Sequence, residues 1–249
     1  TNKKVKVNIK KLQEAIQFVD DGAADSYDEA KEQIEELKVD LTKEEEDYID
    51  DKLKSFDLRT GKTGIIDKKC MMKLMKIIGD FSKFRSKDVS KQAQQNRLEH
   101  YGADSDKYID VILNTMNIEE ESFNHCTKAV LNKICVTPEI YGRSEQALIM
   151  DPASQLELLQ KGIENDESTA EVPTELTKEE TIKILKESND KSFTEYKTYS
   201  EAVKRKDPYL TPVVISWLSH DYIYKEYKYD EDVFKAAMFK HKVFEDPDL

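Results

Sequence analysis

Three consecutive residues, Gly61, Lys62 and Thr63, match the end of a phosphate-binding loop. In such a loop, written GxxxxGK[ST], backbone N–H groups and the lysine hold the phosphates of a nucleotide. The pattern requires a glycine at the position of Phe56. The preceding residues also predict an acidic helix, whereas a buried strand normally precedes this loop. Nucleotide binding is therefore the least favoured alternative.

The chain contains three cysteines and four histidines, the side chains that most often act as nucleophiles, bases or metal ligands. No CxxC pair occurs, and the odd number of cysteines leaves no disulfide framework, which indicates a reducing, intracellular compartment. The cysteines fall on apolar helix faces, where a thiol is structural. No two histidines have the spacing of a metal pair on one helix face. We therefore expect no catalytic residue, metal site or cofactor, and not an enzyme. These seven residues are Cys70, Cys126, Cys135, His100, His125, His220 and His241.

Helices are predicted on both sides of the glycine-bearing loop. Thr42 and Glu45 form a capping box that starts the first helix, and its apolar stripe consists of Tyr48, Ile49, Leu53 and Phe56. Gly61 and Gly64 permit backbone conformations that are strained for residues with a Cβ atom. A second helix, terminated by Gly79, is predicted from the stripe formed by Cys70, Met71, Leu74, Met75 and Ile78.

This helix–loop–helix, residues 41–79, resembles the EF-hands of the calmodulin and myosin light-chain superfamily. Gly64 stands at the glycine that makes the sharp bend, and Ile66 stands at the β-branched residue that pairs the loop with a neighbouring hand. The resemblance implies an all-α fold that takes amphipathic helices of partner proteins into a groove. It also implies a place in an intracellular assembly, such as those of the cytoskeleton, cilia and flagella.

Most calcium ligands of an EF-hand are missing from the loop. A working site needs roughly six to eight oxygen ligands, several of them carboxylates. The first, third, fifth and twelfth positions hold Arg59, Gly61, Thr63 and Cys70. We therefore expect a calcium-independent protein. The alternative is a calcium sensor in which Asp57 and Asp67 act in a rearranged loop.

A second hand is expected downstream, because EF-hands normally pair. Residues 104–135 supply two apolar stripes with an almost deleted loop between them. The first consists of Tyr108, Ile109, Ile112, Leu113 and Met116, and the second of Ile118, Phe123, Cys126, Val130 and Ile134. The alternative is two antiparallel helices of a small bundle joined by a short turn at Asn117.

Methionine and aliphatic side chains are the predicted lining of the groove that receives a partner helix. They are Met71, Met72, Leu74, Met75, Ile112 and Met116. The competing interpretation is that these side chains fill the core.

The C-terminal part combines an acidic segment with an apolar, aromatic one. Residues 164–175 carry five acids, one proline and no basic residue, which is typical of a linker. Residues 208–227 are the most apolar stretch and predict a buried helix, with a strand as the alternative. The aromatic residues expected to contact a partner are Trp217, Tyr222, Tyr224 and Tyr227. Limited proteolysis is expected to cut the linker first.

Composition limits the class of partner. The net charge is −12 and the isoelectric point is near 5.0, which disfavours nucleic acid and anionic membrane, since both reward clustered lysine and arginine. No apolar run has the length of a membrane span or of a signal peptide. Residues 83–97 are locally basic and polar almost all round, and they are predicted to form a solvated linker or bridging helix. A contact to an acidic partner is the alternative.

The predicted organisation is an N-terminal helical arm at 1–40, an EF-hand-like helical domain at 41–135, a helix and acidic linker at 136–175, and an extended helical C-terminal tail at 176–249. The predicted function is that of a non-enzymatic, calcium-independent adaptor subunit that binds helices of partner proteins.

Overall fold

The computed structural model describes residues 23–61, 64–155 and 170–246. Most of these residues are helical and none forms a strand, which confirms the all-α fold class. The helices are α1 (Ala23–Glu36), α2 (Lys43–Leu53), α3 (Lys68–His100), α4 (Ser105–Ile134), α5 (Pro138–Met150), α6 (Lys178–Lys206), α7 (Thr211–Tyr227) and α8 (Glu231–Lys240). Short 3₁₀ turns lie at Pro208–Leu210 and Val243–Glu245, and residues 152–155 are also helical.

Threonine hydroxyls cap the starts of α2 and α6. The Glu45 N–H donates to Oγ1 of Thr42 at 3.2 Å and the Thr42 N–H donates to Oε2 of Glu45 at 2.8 Å, so α2 begins with the predicted capping box. Thr177 caps α6 in the same way, by accepting from the Glu180 N–H. These caps can be predicted from sequence because the threonine and the N–H that it accepts lie within one helical turn of each other.

The two longest helices run through positions where the sequence predicts an end or a turn. α3 does not stop at Gly79 but continues to His100. A glycine inside a helix costs about 0.5–1 kcal/mol relative to alanine, whereas complete burial of a large apolar side chain contributes about 1.5–3 kcal/mol. Phe81, on the continued helix, is completely buried. The free energy gained by burying Phe81 therefore exceeds the cost of Gly79 inside the helix.

α4 is one helix of 30 residues that passes through Asn117 without a turn. Neither the loop of a second EF-hand nor the alternative turn is present there. An exposed asparagine costs a helix interior only a few tenths of a kcal/mol. Both halves of α4 bury apolar side chains, Ile112 on one side of Asn117 and Cys126 on the other, so no break is required.

The described residues form two compact units, each assembled from separated parts of the chain. The first contains residues 23–87 and 119–155, and the second contains residues 88–118 and 170–246. α3 and α4 each contribute to both. The first unit has one apolar core, built around Ile49, Met71, Leu74, Phe81 and Val130.

The C-terminal helices are part of the second unit, and the expectation of an extended tail is wrong. α6 and α7 pack on the beginning of α4, where one core contains Tyr108, Ile109 and Ile112 together with Tyr199, Val203 and Leu218. A smaller core joins α6, α7 and α8 and includes Leu176, at the end of the acidic segment. The apolar stretch is the helix α7, as predicted. Burial of apolar surface on α4 and on the C-terminal helices accounts for their packing against each other.

Candidate functional site

The loop between α2 and α3 is held closed by its own backbone. The Asp67 N–H donates to the carbonyl of Arg59, and the Gly61 N–H donates to the carbonyl of Ile65, both at 2.8 Å. Gly64 has a φ of +72°, in the left-handed region that glycine enters without steric cost. Backbone hydrogen bonds therefore join the two ends of the loop.

Ile66 makes its backbone contacts within the first unit. It forms an antiparallel bridge with Thr60 across the loop. Its backbone N–H donates to Oγ of Ser144 on α5 at 3.0 Å, and that hydroxyl donates to the carbonyl of Ile140 at 2.6 Å. The Ile66 N–H thus attaches this loop to α5.

The loop carboxylates have partners in the loop and in the first turn of α3. Asp57 accepts from Nε of Arg59 at 3.2 Å. Asp67 accepts from the backbone N–H groups of Lys69 and Cys70 at 3.1 and 3.3 Å, and so caps the start of α3. Cys70, at the twelfth loop position, is a buried thiol whose pKa is raised by burial. Within the described residues, no three His, Cys, Asp or Glu side chains are grouped so as to hold a metal ion.

The predicted groove residues do not line one surface. Met71, Met72 and Leu74 are buried in the core of the first unit, and Met75 is half-buried against it. Ile112 is buried in the second unit. Met116 has 36% of its surface exposed.

The aromatic residues of α7 have intramolecular partners. The hydroxyls of Tyr222 and Tyr227 donate to the two carboxylate oxygens of Glu187 on α6, at 2.5 and 2.8 Å. Hydrogen bonds from the two tyrosines lower the pKa of the Glu187 carboxyl. Tyr224 is half-buried. Trp217 is also half-buried, with its ring covered by the guanidinium of Arg97 at 3.7 Å.

A buried ion pair in the second unit is absent from the sequence predictions. Nε and Nη2 of Arg97 donate to the two carboxylate oxygens of Asp221 at 2.9 and 3.0 Å, and the Tyr108 hydroxyl donates to Asp221 at 2.8 Å. Arg97 is 1% exposed and Asp221 is completely buried. The expectation that residues 83–97 are solvated is therefore wrong at Arg97. The available signal was Asp221 itself, an acid in the most apolar helix, because a buried charge requires a partner.

His220 lies beside this ion pair. Its ring meets Trp217 edge-on at 5.9 Å, and its Nδ1 is 3.7 Å from Oε2 of Glu231 on α8. Nδ1 of His220 and Nη1 of Arg97 are buried and lack a hydrogen-bond partner among the described residues. A cavity of about 10 Å³ is lined by His220, Glu231, Lys235 and four apolar or aromatic side chains. Its size corresponds to about one water molecule.

Among the residues that the structure describes, the remaining candidate features identify no further site, and neither do the comparisons with known proteins. Lys62 and Thr63 of the possible phosphate-binding loop lie outside the described residues. No helix in the described part of the chain combines the length and apolar composition needed to cross a bilayer. No protein-family model matches the chain, and no curated protein or solved structure matches it either.

Proposed function

We propose that this protein is a non-enzymatic, calcium-independent adaptor that binds amphipathic helices of partner proteins in a larger intracellular assembly. In this proposal residues 41–79 are an EF-hand-like helix–loop–helix that has exchanged its metal ligands for internal bonds. The assembly would be cytoskeletal or ciliary, as the resemblance implies.

The observation that carries the proposal is the position of Asp67. In an EF-hand the loop carboxylates face the ion, and binding of the ion reorients the exiting helix. Here Asp67 accepts two backbone N–H groups of α3, and Ser144 fixes the adjacent residue of the loop to α5. These hydrogen bonds support a helix–loop–helix that needs no ion to fix its arrangement, as a constitutive binding module requires.

The rival function, a calcium sensor with a rearranged loop, would require rearrangement at both acids. Asp57 would have to leave Arg59, and Asp67 would have to leave the N-terminus of α3. Arg59 would also remain close to the ion as a repelling charge. These costs favour the calcium-independent adaptor.

The surface offered to a partner includes Met116. All of the predicted binding residues lie in the described part of the chain, and among them Met116 is the exposed one. Methionine is common at surfaces that accept helices, because its flexible thioether adapts to different side chains. The next residue on α4, Asn117, is also exposed. The pair therefore provides a site variant and a matched control.

Affinity capture from native extract with the 249-residue chain tests the proposal. Crosslinking mass spectrometry then locates the contact. We expect the same partners with calcium and with chelator, and crosslinks that join α4 to helical segments of those partners. Met116→Glu should reduce their recovery at least several-fold, whereas Asn117→Glu should not. Circular dichroism should first show that both variants are folded.

Two results would contradict the proposal. Recovery that requires calcium would favour the sensor. Equal recovery with wild type and Met116→Glu would remove Met116 from the binding surface.

A further inference from the structure

His220 on α7 is enclosed by charged groups from three helices. Glu231 and Lys235 face it from α8, Arg97 comes from α3, and Asp221 is its neighbour on α7. Its side chain is 25% exposed, and its Nδ1 is buried without a hydrogen-bond partner among the described residues. The imidazole is thus a titratable group in a confined polar site.

The two acids in this site are already engaged by other groups. Glu231 accepts Nζ of Lys235 at 2.7 Å. Asp221 holds Arg97 through two hydrogen bonds and also accepts the hydroxyl of Tyr108. A proton on His220 would therefore place a third positive charge beside Arg97 and Lys235 without adding an acid to balance it.

α8 is the element least able to resist such a change. It has ten residues, and isolated helices shorter than about 12 residues are marginal in water. Its N-cap residue, Asp230, makes no side-chain capping bond. The connection from α7 passes through Lys228, whose φ of 62° is costly for a residue with a Cβ atom. α8 is held by the packing of Phe234 and Ala237 in the small core of the second unit, and by a hydrogen bond of 2.7 Å between Nε2 of His241, its C-cap residue, and the carbonyl of Leu176.

We propose that the contact between α7 and α8 is an acid-sensitive latch, closed while His220 is neutral and released when His220 takes up a proton. Release separates α8 from α7 and exposes the apolar face that contains Phe234. The Arg97–Asp221 pair, with its two hydrogen bonds, keeps α7 attached to α3.

The direction of the effect follows from burial. Burial lowers the pKa of His220 below its ordinary value, and Lys235 and Arg97 act in the same direction against Glu231 and Asp221. The closed form therefore binds the proton more weakly than the open form, whose pKa is about 6.5. The stability of the contact is complete above pH of about 6.5, and it falls as the pH drops from there toward the lowered pKa.

Hydrogen exchange of the 249-residue chain, measured by mass spectrometry, tests the latch. After correction for intrinsic exchange, protection of residues 231–240 should fall by up to about tenfold per pH unit between about 6.5 and the lowered pKa of His220, and then level off. Protection of α3 should change much less. Trp217 is the single tryptophan of the chain, so its fluorescence should change over the same pH range.

His220→Phe keeps an aromatic ring and cannot be protonated there, so it should abolish the acid response of α8. His100→Gln, on α3 and outside this cluster, is the matched control and should retain it. Retention of the full response by His220→Phe would overturn the latch.

A titration of the wild-type histidine signals by NMR keeps the inference testable if His220→Phe does not fold. The signal of His220 should have a midpoint below 6.5. A midpoint at or above about 6.5 would overturn the latch, because the closed form would then bind the proton as well as the open form does.

Discussion

Arg97 and Asp221 are separated by 124 residues in the sequence, yet they form two hydrogen bonds in the interior of the second unit. Arg97 belongs to α3 and Asp221 to α7, while Tyr108, which donates to the same carboxylate, belongs to α4. One carboxylate therefore joins three helices. A planar guanidinium suits this position, because it can satisfy both oxygens of a carboxylate at once.

Asp221→Asn should strongly destabilise the second unit. The substitution leaves the Arg97 charge buried without its counterion, and breaking one partner of a buried pair costs about 3–5 kcal/mol. Urea unfolding followed by Trp217 fluorescence measures the loss, because Trp217 covers Arg97.

The control is the exposed pair Arg205–Asp106. Asp106→Asn should cost no more than about 1 kcal/mol, because exposed ion pairs contribute little. Equal losses for the two variants would mean that burial does not determine the contribution of the Arg97–Asp221 pair.

The ion pair also shows which features could be predicted from sequence. Helix starts were predictable, because the Thr42 and Thr177 caps act within one turn. Asp221 in an apolar helix signalled a buried partner. The identity of that partner was not predictable, because Arg97 lies in a polar segment and meets Asp221 only after α3 and α7 pack.

The same distinction applies to the loop before α3. Gly64 and its left-handed conformation were predictable from residue type. The bonds that close the loop join backbone groups, which carry no residue-specific signal. The contact between Ile66 and Ser144 depends on the docking of α5, and no spacing rule connects residues that far apart.

Two glycine substitutions should have opposite effects. An added Cβ atom meets no neighbour within 4 Å at Gly64 or at Gly79, so backbone conformation decides the outcome. Gly64→Ala should cost about 1–2 kcal/mol, because alanine is strained at positive φ. Gly79→Ala should stabilise the protein by about 0.5–1 kcal/mol, because it lies inside α3.

Denaturant unfolding followed by far-ultraviolet circular dichroism measures both changes. Destabilisation by Gly79→Ala would indicate that α3 ends near Gly79 in solution. A neutral Gly64→Ala would indicate that the loop does not use the left-handed conformation.

Ser144→Ala should loosen the attachment of the loop to α5. The Ile66 N–H would remain buried without an acceptor, and a buried unsatisfied donor costs about 1–3 kcal/mol. Amide exchange at Ile66 should accelerate together with the loss of stability. Ser200→Ala, at a serine on α6 that accepts no such buried N–H, should change the unfolding free energy by less than about 0.5 kcal/mol. Unchanged exchange at Ile66 would show that its N–H does not depend on Ser144.

Calcium titration separates the adaptor from the sensor. The loop presents Arg59, Gly61 and Cys70 at ligand positions, and Asp67 is used as a helix cap. The affinity should therefore be weaker than the roughly millimolar range of weak extracellular sites. Isothermal titration at low ionic strength should show no saturable heat, and chelator should not change the circular dichroism spectrum.

Asp57→Ala and Asp67→Ala provide the decisive comparison for calcium. Asp57→Ala should behave as wild type in the titration. Asp67→Ala should lower stability by about 1 kcal/mol through loss of the α3 cap, equally with and without calcium. A single micromolar calcium site that is lost in Asp57→Ala would contradict the adaptor function, because it would require the loop to open and rearrange around the ion.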